Sequence, residues 1–232
     1  EVAPCADDET AAWTDVIRQM VLVNVAAAPP LPLPPSADAV PEWVESRVPG
    51  IGPNPDNRYL VAPVAWEPGR IVVIRGQAPT FPDTGAGESA TNSTDLRYWS
   101  FCTGPNITDP PLAYPTTSCV PDFEIPLDAD GFYTVVISQP EDRPANATAE
   151  HGVAWVSGSD PALPDLMALR HMLPSDEFFD QSVWSVPELT PGAAAPVMGP
   201  YFPQTVYCDT ATFEAGGADA CFAAGAAATP AG

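Results

Sequence analysis

The sequence predicts a mainly β protein: a β-sandwich or jelly-roll-like domain with one or two short helices and a proline-rich N-terminal arm. Three observations predict it. Proline is 31 of 232 residues, against an ordinary share of roughly 5%. Proline breaks helix interiors and cannot donate to a sheet ladder, so the elements must be short and joined by stiff connections. From Arg58 onward, short runs of β-formers alternate with Gly, Pro, Asn and Asp clusters, the texture of a sandwich. Four of the five cysteines fall into two local pairs that flank loops, as in a disulfide-stapled exported domain.

Residues 1–57 read as the arm. A short helix is expected from Asp8 to about Val23, with Asp7, Asp8 and Glu9 at its N-terminus, where carboxylates suit the helix dipole. Ala12, Val16, Gln19 and Val23 share one face, with Trp13, Ile17 and Met20 beside them. Pro29 to Pro35 is a polyproline II strip whose leucines, Leu31 and Leu33, point outward. An arm this rich in proline cannot satisfy its backbone internally. It carries too many apolar residues to stay in solvent. Trp13, Ile17, Met20, Leu31, Leu33 and Trp43 are therefore the expected docking residues for a protein partner or a second copy. The alternative is that the arm folds back over its own sandwich.

Residues 58–222 read as the sandwich. Strands are expected at Tyr59–Trp66, Arg70–Gly76, Leu96–Cys102, Phe123–Leu127, Phe132–Ser138 and Val153–Val156. Asp128-Ala-Asp-Gly131 is expected to turn a hairpin between the fourth and fifth of these, with Gly131 free to take positive φ. A helix is expected over Pro164–Leu173, stopped by Pro174. Late extended pieces are expected at Phe178–Val186 and Val197–Val206. Residues 223–232 read as a fraying Ala/Gly tail.

Several of these segments also carry a resemblance. Asp95–Cys102, with its RYWS core, the Asp128–Gly131 turn and its following strand, Arg143–Asn146 and Arg170–Pro174 resemble a group of exported bacterial proteins of unknown function. More distantly, RYWS, the turn and a Trp-containing strand resemble a bacterial jelly-roll domain of unknown function. The resemblance covers about residues 58–222. It implies export and a β-sandwich, and it implies no activity.

Pairing by proximity joins Cys102 to Cys119 and Cys208 to Cys221; two other connectivities remain open for four cysteines. Each bridge would close a loop of about 15 residues and stabilise by roughly 3 kcal/mol. No C-x-x-C occurs, and the two histidines lie far from every cysteine, so zinc and haem attachment fit poorly. Cys5 is left over for an intermolecular bond, a tether or an idle thiol. The chain begins at Glu1 without Met or a signal core, as a mature exported protein would. Asn92, Asn106 and Asn146 open Asn-X-Ser/Thr sequons, which matter only in a host that glycosylates.

The net charge is −22, and all eight basic residues are arginines. Such a surface disfavours nucleic acid and anionic lipid. The most apolar run, Met20–Pro35, holds five prolines and Asn24, too interrupted for a membrane span. The destination is therefore the extracellular space, the cell surface or the periplasm, with no transmembrane segment. Nucleophile-elbow, metalloprotease, P-loop and dinucleotide motifs are absent from the sequence. His171 reads as structural and His151 as a loop residue. Asp128 and Asp130 resemble the opening of a calcium loop, but a strand follows and no Glu closes it, so no cofactor is expected, with Ca²⁺ the alternative. Arg75 and Arg97, set in apolar strands, should pair with carboxylates or stack on aromatics. The reading these features favour is an exported structural or binding accessory that docks through its arm in an assembly. The alternatives are a carbohydrate or small-ligand binding module, and a carboxylate-based hydrolase.

Overall fold

The computed structural model describes residues 40–46, 54–89, 94–105, 118–159 and 165–228. Trp13, Ile17, Met20, Leu31, Leu33 and Cys5, like Asn92 and Asn106, lie outside them. Among the described residues nine strands form two sheets, the expected mainly β sandwich. Sheet A runs β1 (Val44–Ser46), β2 (Asn57–Val64), β8 (Asp165–Pro174), β4 (Leu96–Pro105) and β5 (Ser118–Pro121), all antiparallel. Sheet B runs β7 (Ala154–Ser157), β6 (Phe132–Ser138), β3 (Arg70–Gln77) and β9 (Gln204–Asp209). Only β6 and β7 are parallel.

Alternation along each strand divides the apolar residues between faces. Leu60, Ala62 and Val64 of β2, Phe101 of β4, Met167 and Leu169 of β8, Val72 and Ile74 of β3, and Val135 and Ile137 of β6 meet in one core between the sheets. Trp99, Phe101 and Tyr133 stack at its centre, with ring centroids 5.3–6.1 Å apart. The outer face of sheet B carries a second cluster: Ile71, Val73, Val136 and Cys208 lie under Phe213 and Cys221. Those last two belong to α2 (Thr210–Ala228), a helix broken at Gly217, where φ is 64°. A five-residue helix, α1 (Ala194–Met198), buries Ala194 and Met198 at one margin of the main core.

Several expected elements differ. Residues 165–174 are not a helix but the central strand of sheet A, paired with β2 on one side and β4 on the other. Leu, Met and Ala favour a helix by only a few tenths of a kcal/mol each. Ladders on both edges and two buried faces outweigh that preference. Phe123–Leu127 is not a strand. Asp122 accepts backbone N–H bonds from Trp99 (2.9 Å) and Phe123 (2.9 Å), which curls Asp122–Glu124 into a 3-10 turn. Of the expected hairpin, the Asp128–Gly131 reversal stands, with one bridge from Leu127 to Tyr133; the ladder partners of β6 are β3 and β7 instead. Phe178–Val186 holds two 3-10 turns, Phe179–Gln181 and Val183–Ser185. Within Val197–Val206, only the end from Gln204 is strand. The stretch after Cys208, expected as turns and a fraying tail, is helical from Thr210 to Ala228. Alanine-rich sequence gains this order by packing Phe213, Ala218 and Phe222 on sheet B.

The arm boundary also moves. Residues 43–46 belong to the sandwich: Val44 pairs with Val61 in the β1–β2 ladder. Trp43, expected among the docking residues, is 2% exposed in the core. Its Nε1 donates to Thr205 Oγ1 (2.8 Å), and its ring lies 6.3 Å from that of Phe101. A buried indole with a satisfied N–H belongs to its own fold.

Candidate functional site

The two disulfides pair as expected. Cys102 and Cys119 sit directly opposite in the β4–β5 ladder, their Cα atoms 4.1 Å apart. Cys208 and Cys221 join β9 to α2 across 5.4 Å. The second bond fastens a helix to the outside of a sheet, so it fixes tertiary structure and not just a loop.

The Asp128–Gly131 turn is held by side-chain-to-backbone hydrogen bonds. Asp128 Oδ1 accepts from the backbone N–H of Asp130 (3.0 Å) and of Phe132 (2.8 Å), and Oδ2 accepts from Arg75 Nη2 (3.3 Å). The Phe132 N–H, first among these donors, holds the Asp128 carboxyl below its ordinary range. Donors already surround this carboxylate. Among the described residues no three His, Cys, Asp or Glu side chains converge to hold a metal. In this arrangement Asp128, expected as a candidate calcium ligand with Asp130, builds a turn. Arg75 reaches on to Asp219 Oδ1 (2.7 Å), which ties the turn to α2.

With no lysine in the chain, the arginines stack. Arg58 lies over Trp184 (4.2 Å), Arg70 over Tyr207 (4.3 Å), Arg143 over Trp155 (4.3 Å) and Arg170 over Tyr59 (5.4 Å). Arg97 is exposed. Asn146, the one sequon within the described residues, donates its Nδ2 to Phe213 O (3.2 Å) and so serves a loop-to-helix contact.

Each histidine is held by a local hydrogen bond. His171 is 1% exposed, and its Nδ1 accepts from Val183 N (3.4 Å). Burial lowers its pKa to about 3. His151 bonds Thr148 Oγ1 (2.8 Å) on the surface. Besides Asp122, two further buried acids went unseen in the sequence. Asp165, at the start of β8, accepts from Trp66 Nε1 (2.9 Å), Ser159 N (2.7 Å) and Ser159 Oγ. Glu45, 2% exposed on β1, stands 3.9 Å from Arg58 Nε. Both acids brace the ends of sheet A. No residue spacing could have marked them out among 30 acids, because burial is a property of the folded chain.

The outer face of sheet A holds a third, smaller apolar cluster. Val44, Val61 and Leu166 form a buried apolar cluster there, packed by Tyr59, Ala168 and Leu189. Asn57 Nδ2 donates to Tyr59 OH (3.3 Å) at its margin. By alternation Arg170 shares this face with Ala168 and Leu166. The Arg170 Nε is buried without a hydrogen-bond partner.

No family model and no curated protein matches the chain. Among solved structures, it is similar to an uncharacterised protein from Burkholderia cenocepacia, at 16% identity and a TM-score of 0.38. That match covers 94% of this chain and 50% of the other. A protein from Vibrio parahaemolyticus matches at 14% identity and a TM-score of 0.33, over 73% of this chain and 31% of its own. The chain thus spans half the length of the first and less of the second. No described helix is long and apolar enough to cross a membrane.

Proposed function

We propose that the protein is an exported structural or binding accessory of a cell-surface or extracellular assembly, docking a protein partner through its N-terminal segment. The observation that carries this reading is the anchoring of the chain at β1. Trp43 is locked into the core and Val44 into the ladder, which gives the N-terminal sequence a rigid attachment at the edge of sheet A. That sequence holds Trp13, Ile17, Met20, Leu31 and Leu33 together with a polyproline strip. Polyproline II is already extended and ordered, so docking it costs less entropy than docking a flexible chain. The disulfides support the same setting: two such bonds, one within sheet A and one fastening α2 to sheet B, are typical of oxidising surroundings. The acidic surface keeps nucleic acid and anionic lipid away from the partner-binding role.

The test is native mass spectrometry of the protein recovered gently from its host. The intact chain is expected in a defined complex. A chain lacking residues 1–39 is expected alone, with both disulfides and its circular dichroism preserved. An equal mass for both forms would overturn the docking role.

A further inference from the structure

We propose that residues 174–188 form a strap on sheet A that opens as one unit, and that the imidazole of His171 is the latch that keeps it shut. The device is independent of the docking reading above, and it is built from β8 and the segment that follows it.

The ends of the strap are strained. Among the described residues, Leu173 and Leu189 are the two non-glycines with positive φ, at 46° and 49°. That left-handed region crowds Cβ against the following carbonyl and is disfavoured for leucine. Leu173 also precedes Pro174, which pushes the residue before it toward extended backbone. Three bonds hold these ends: Leu173 N–H to Asp56 O (3.1 Å), Ser175 N–H to Asp95 O (2.8 Å) and Leu189 N–H to Glu45 O (2.9 Å). Both leucines relax to extended backbone once the strap between them leaves the sheet. Strain of this kind gathers at segments that switch.

Between those ends the strap is bonded mainly to itself. Its 3-10 turns are closed by Gln181 N–H to Phe178 O (3.0 Å), Ser182 N–H to Phe179 O (3.1 Å) and Val186 N–H to Val183 O (3.2 Å). Ser182 and Ser185 both donate Oγ–H to Phe179 O. From Asp176 to Val186, one hydrogen bond to another described segment remains: Val183 N–H to His171 Nδ1, long at 3.4 Å. Phe178, Val183 and Val186 are buried and Arg58 lies over Trp184, so the closed form predominates. Only a neutral imidazole accepts the Val183 N–H. Around the ring stand Arg58, opposite on β2 and 3.9 Å from Glu45, and Trp99, opposite on β4, with the exposed Arg97 two residues before it. The strap itself carries the exposed Asp176, Glu177, Asp180 and Glu188. Burial lowers the His171 pKa to about 3. Opening brings the ring to water, where the ordinary 6.5 applies. A ring protonated there no longer accepts the Val183 N–H, and the charge of Arg58 opposes its return. Acid therefore favours the open strap, because the open form binds a proton that the closed form refuses. Opened, the strap carries Phe178 and Trp184 away from the sheet and uncovers His171 beside Trp99.

Amide exchange of the full chain, followed at a series of low urea concentrations, tests the device. Amides of residues 178–186 should exchange through an opening that depends less on urea than that of β3 and β6, which report global unfolding. Between pH 7.5 and pH 5 their protection factors should fall about thirtyfold, the ratio set by one proton bound with pKa 6.5 in the open form and about 3 in the closed form. His171→Gln keeps an acceptor for the Val183 N–H but does not titrate, and should remove that fall. Leu173→Asn, which tolerates left-handed backbone, should slow the opening several-fold, and Leu173→Val should speed it. Exchange of residues 178–186 in step with β3 and β6 at every urea concentration would overturn the strap. Protection unchanged by pH in the wild type, or a thirtyfold fall that persists in His171→Gln, would overturn the latch. Equal protection in the two Leu173 variants would overturn the strained end, and that comparison holds even where His171→Gln does not fold.

Discussion

At the scale of single residues, His171 shows how burial sets chemistry. It faces the core from β8, with Arg58 opposite on β2 and Trp99 opposite on β4. Phe178 lies 6.3 Å away. Its Nδ1 accepts the Val183 N–H, so the neutral ring carries its proton on Nε2. Desolvation depresses the folded pKa to about 3 from the ordinary 6.5. The unfolded chain therefore binds a proton that the folded chain refuses. The contribution of His171 to stability is complete above pH 6.5 and declines as pH falls toward 3. At pH 5 the decline should reach ~2 kcal/mol, at roughly 1.4 kcal/mol per pH unit. Urea denaturation at pH 7.5 and pH 5 checks this, and the slope should flatten in His171→Gln. Asp122 has the opposite sign: burial raises its pKa, so its protonation favours the folded state. A pH-independent midpoint between 7.5 and 5 would contradict the buried, neutral imidazole.

At the scale of elements, the Asp128–Gly131 turn was legible because its chemistry is local. Asp accepts N–H groups two and four residues on, and Gly takes positive φ. The same holds for the disulfide pairs, which close short loops. What could not be read was anything decided at long range. Helix-favouring Leu166–Met172 became the central strand because β2 and β4 flank it. Trp43 looked like a docking residue because its partner, Thr205, is 162 residues away. The stretch after Cys208 looked like turns because the cover that Phe213, Ala218 and Phe222 provide for Ile71 and Val73 is invisible in its own composition. Gly131 allows a clean test of the local part. Its φ is 79°, and no atom stands within 4 Å of where a Cβ would sit. Gly131→Val should therefore cost only backbone strain, about 1–2 kcal/mol, read as a lower urea midpoint at unchanged m. EDTA should leave the wild-type midpoint where it is. A large loss on adding EDTA would restore a metal to the Asp128 turn.

At the scale of the whole molecule, the two disulfides should act differently although their loops are alike, with separations of 17 and 13 residues. In the chain-entropy account each is worth roughly 3 kcal/mol against the unfolded state. Cys102–Cys119 joins strands that are already neighbours in a ladder. Removing it with a paired Cys→Ser change should lower global stability and leave native hydrogen exchange elsewhere intact. Cys208–Cys221 is different, because it holds the outer layer of sheet B. The first part of α2 keeps Phe213 and a Glu214 bond to the Ala145 N–H (2.8 Å). Beyond the break at Gly217, Cys221 is the covalent hold, beside the exposed Asp219–Arg75 ion pair, on a stretch otherwise built of Ala, Gly and Phe222. Short alanine-rich helices are marginal without tertiary contacts. The Cys208→Ser, Cys221→Ser protein should keep its sandwich but exchange amides of residues 218–228 much faster than the wild type. It should also bind a hydrophobic dye where Ile71 and Val73 are uncovered. If exchange across 218–228 rose no more than in the Cys102→Ser, Cys119→Ser protein, the helix would owe its place to packing alone.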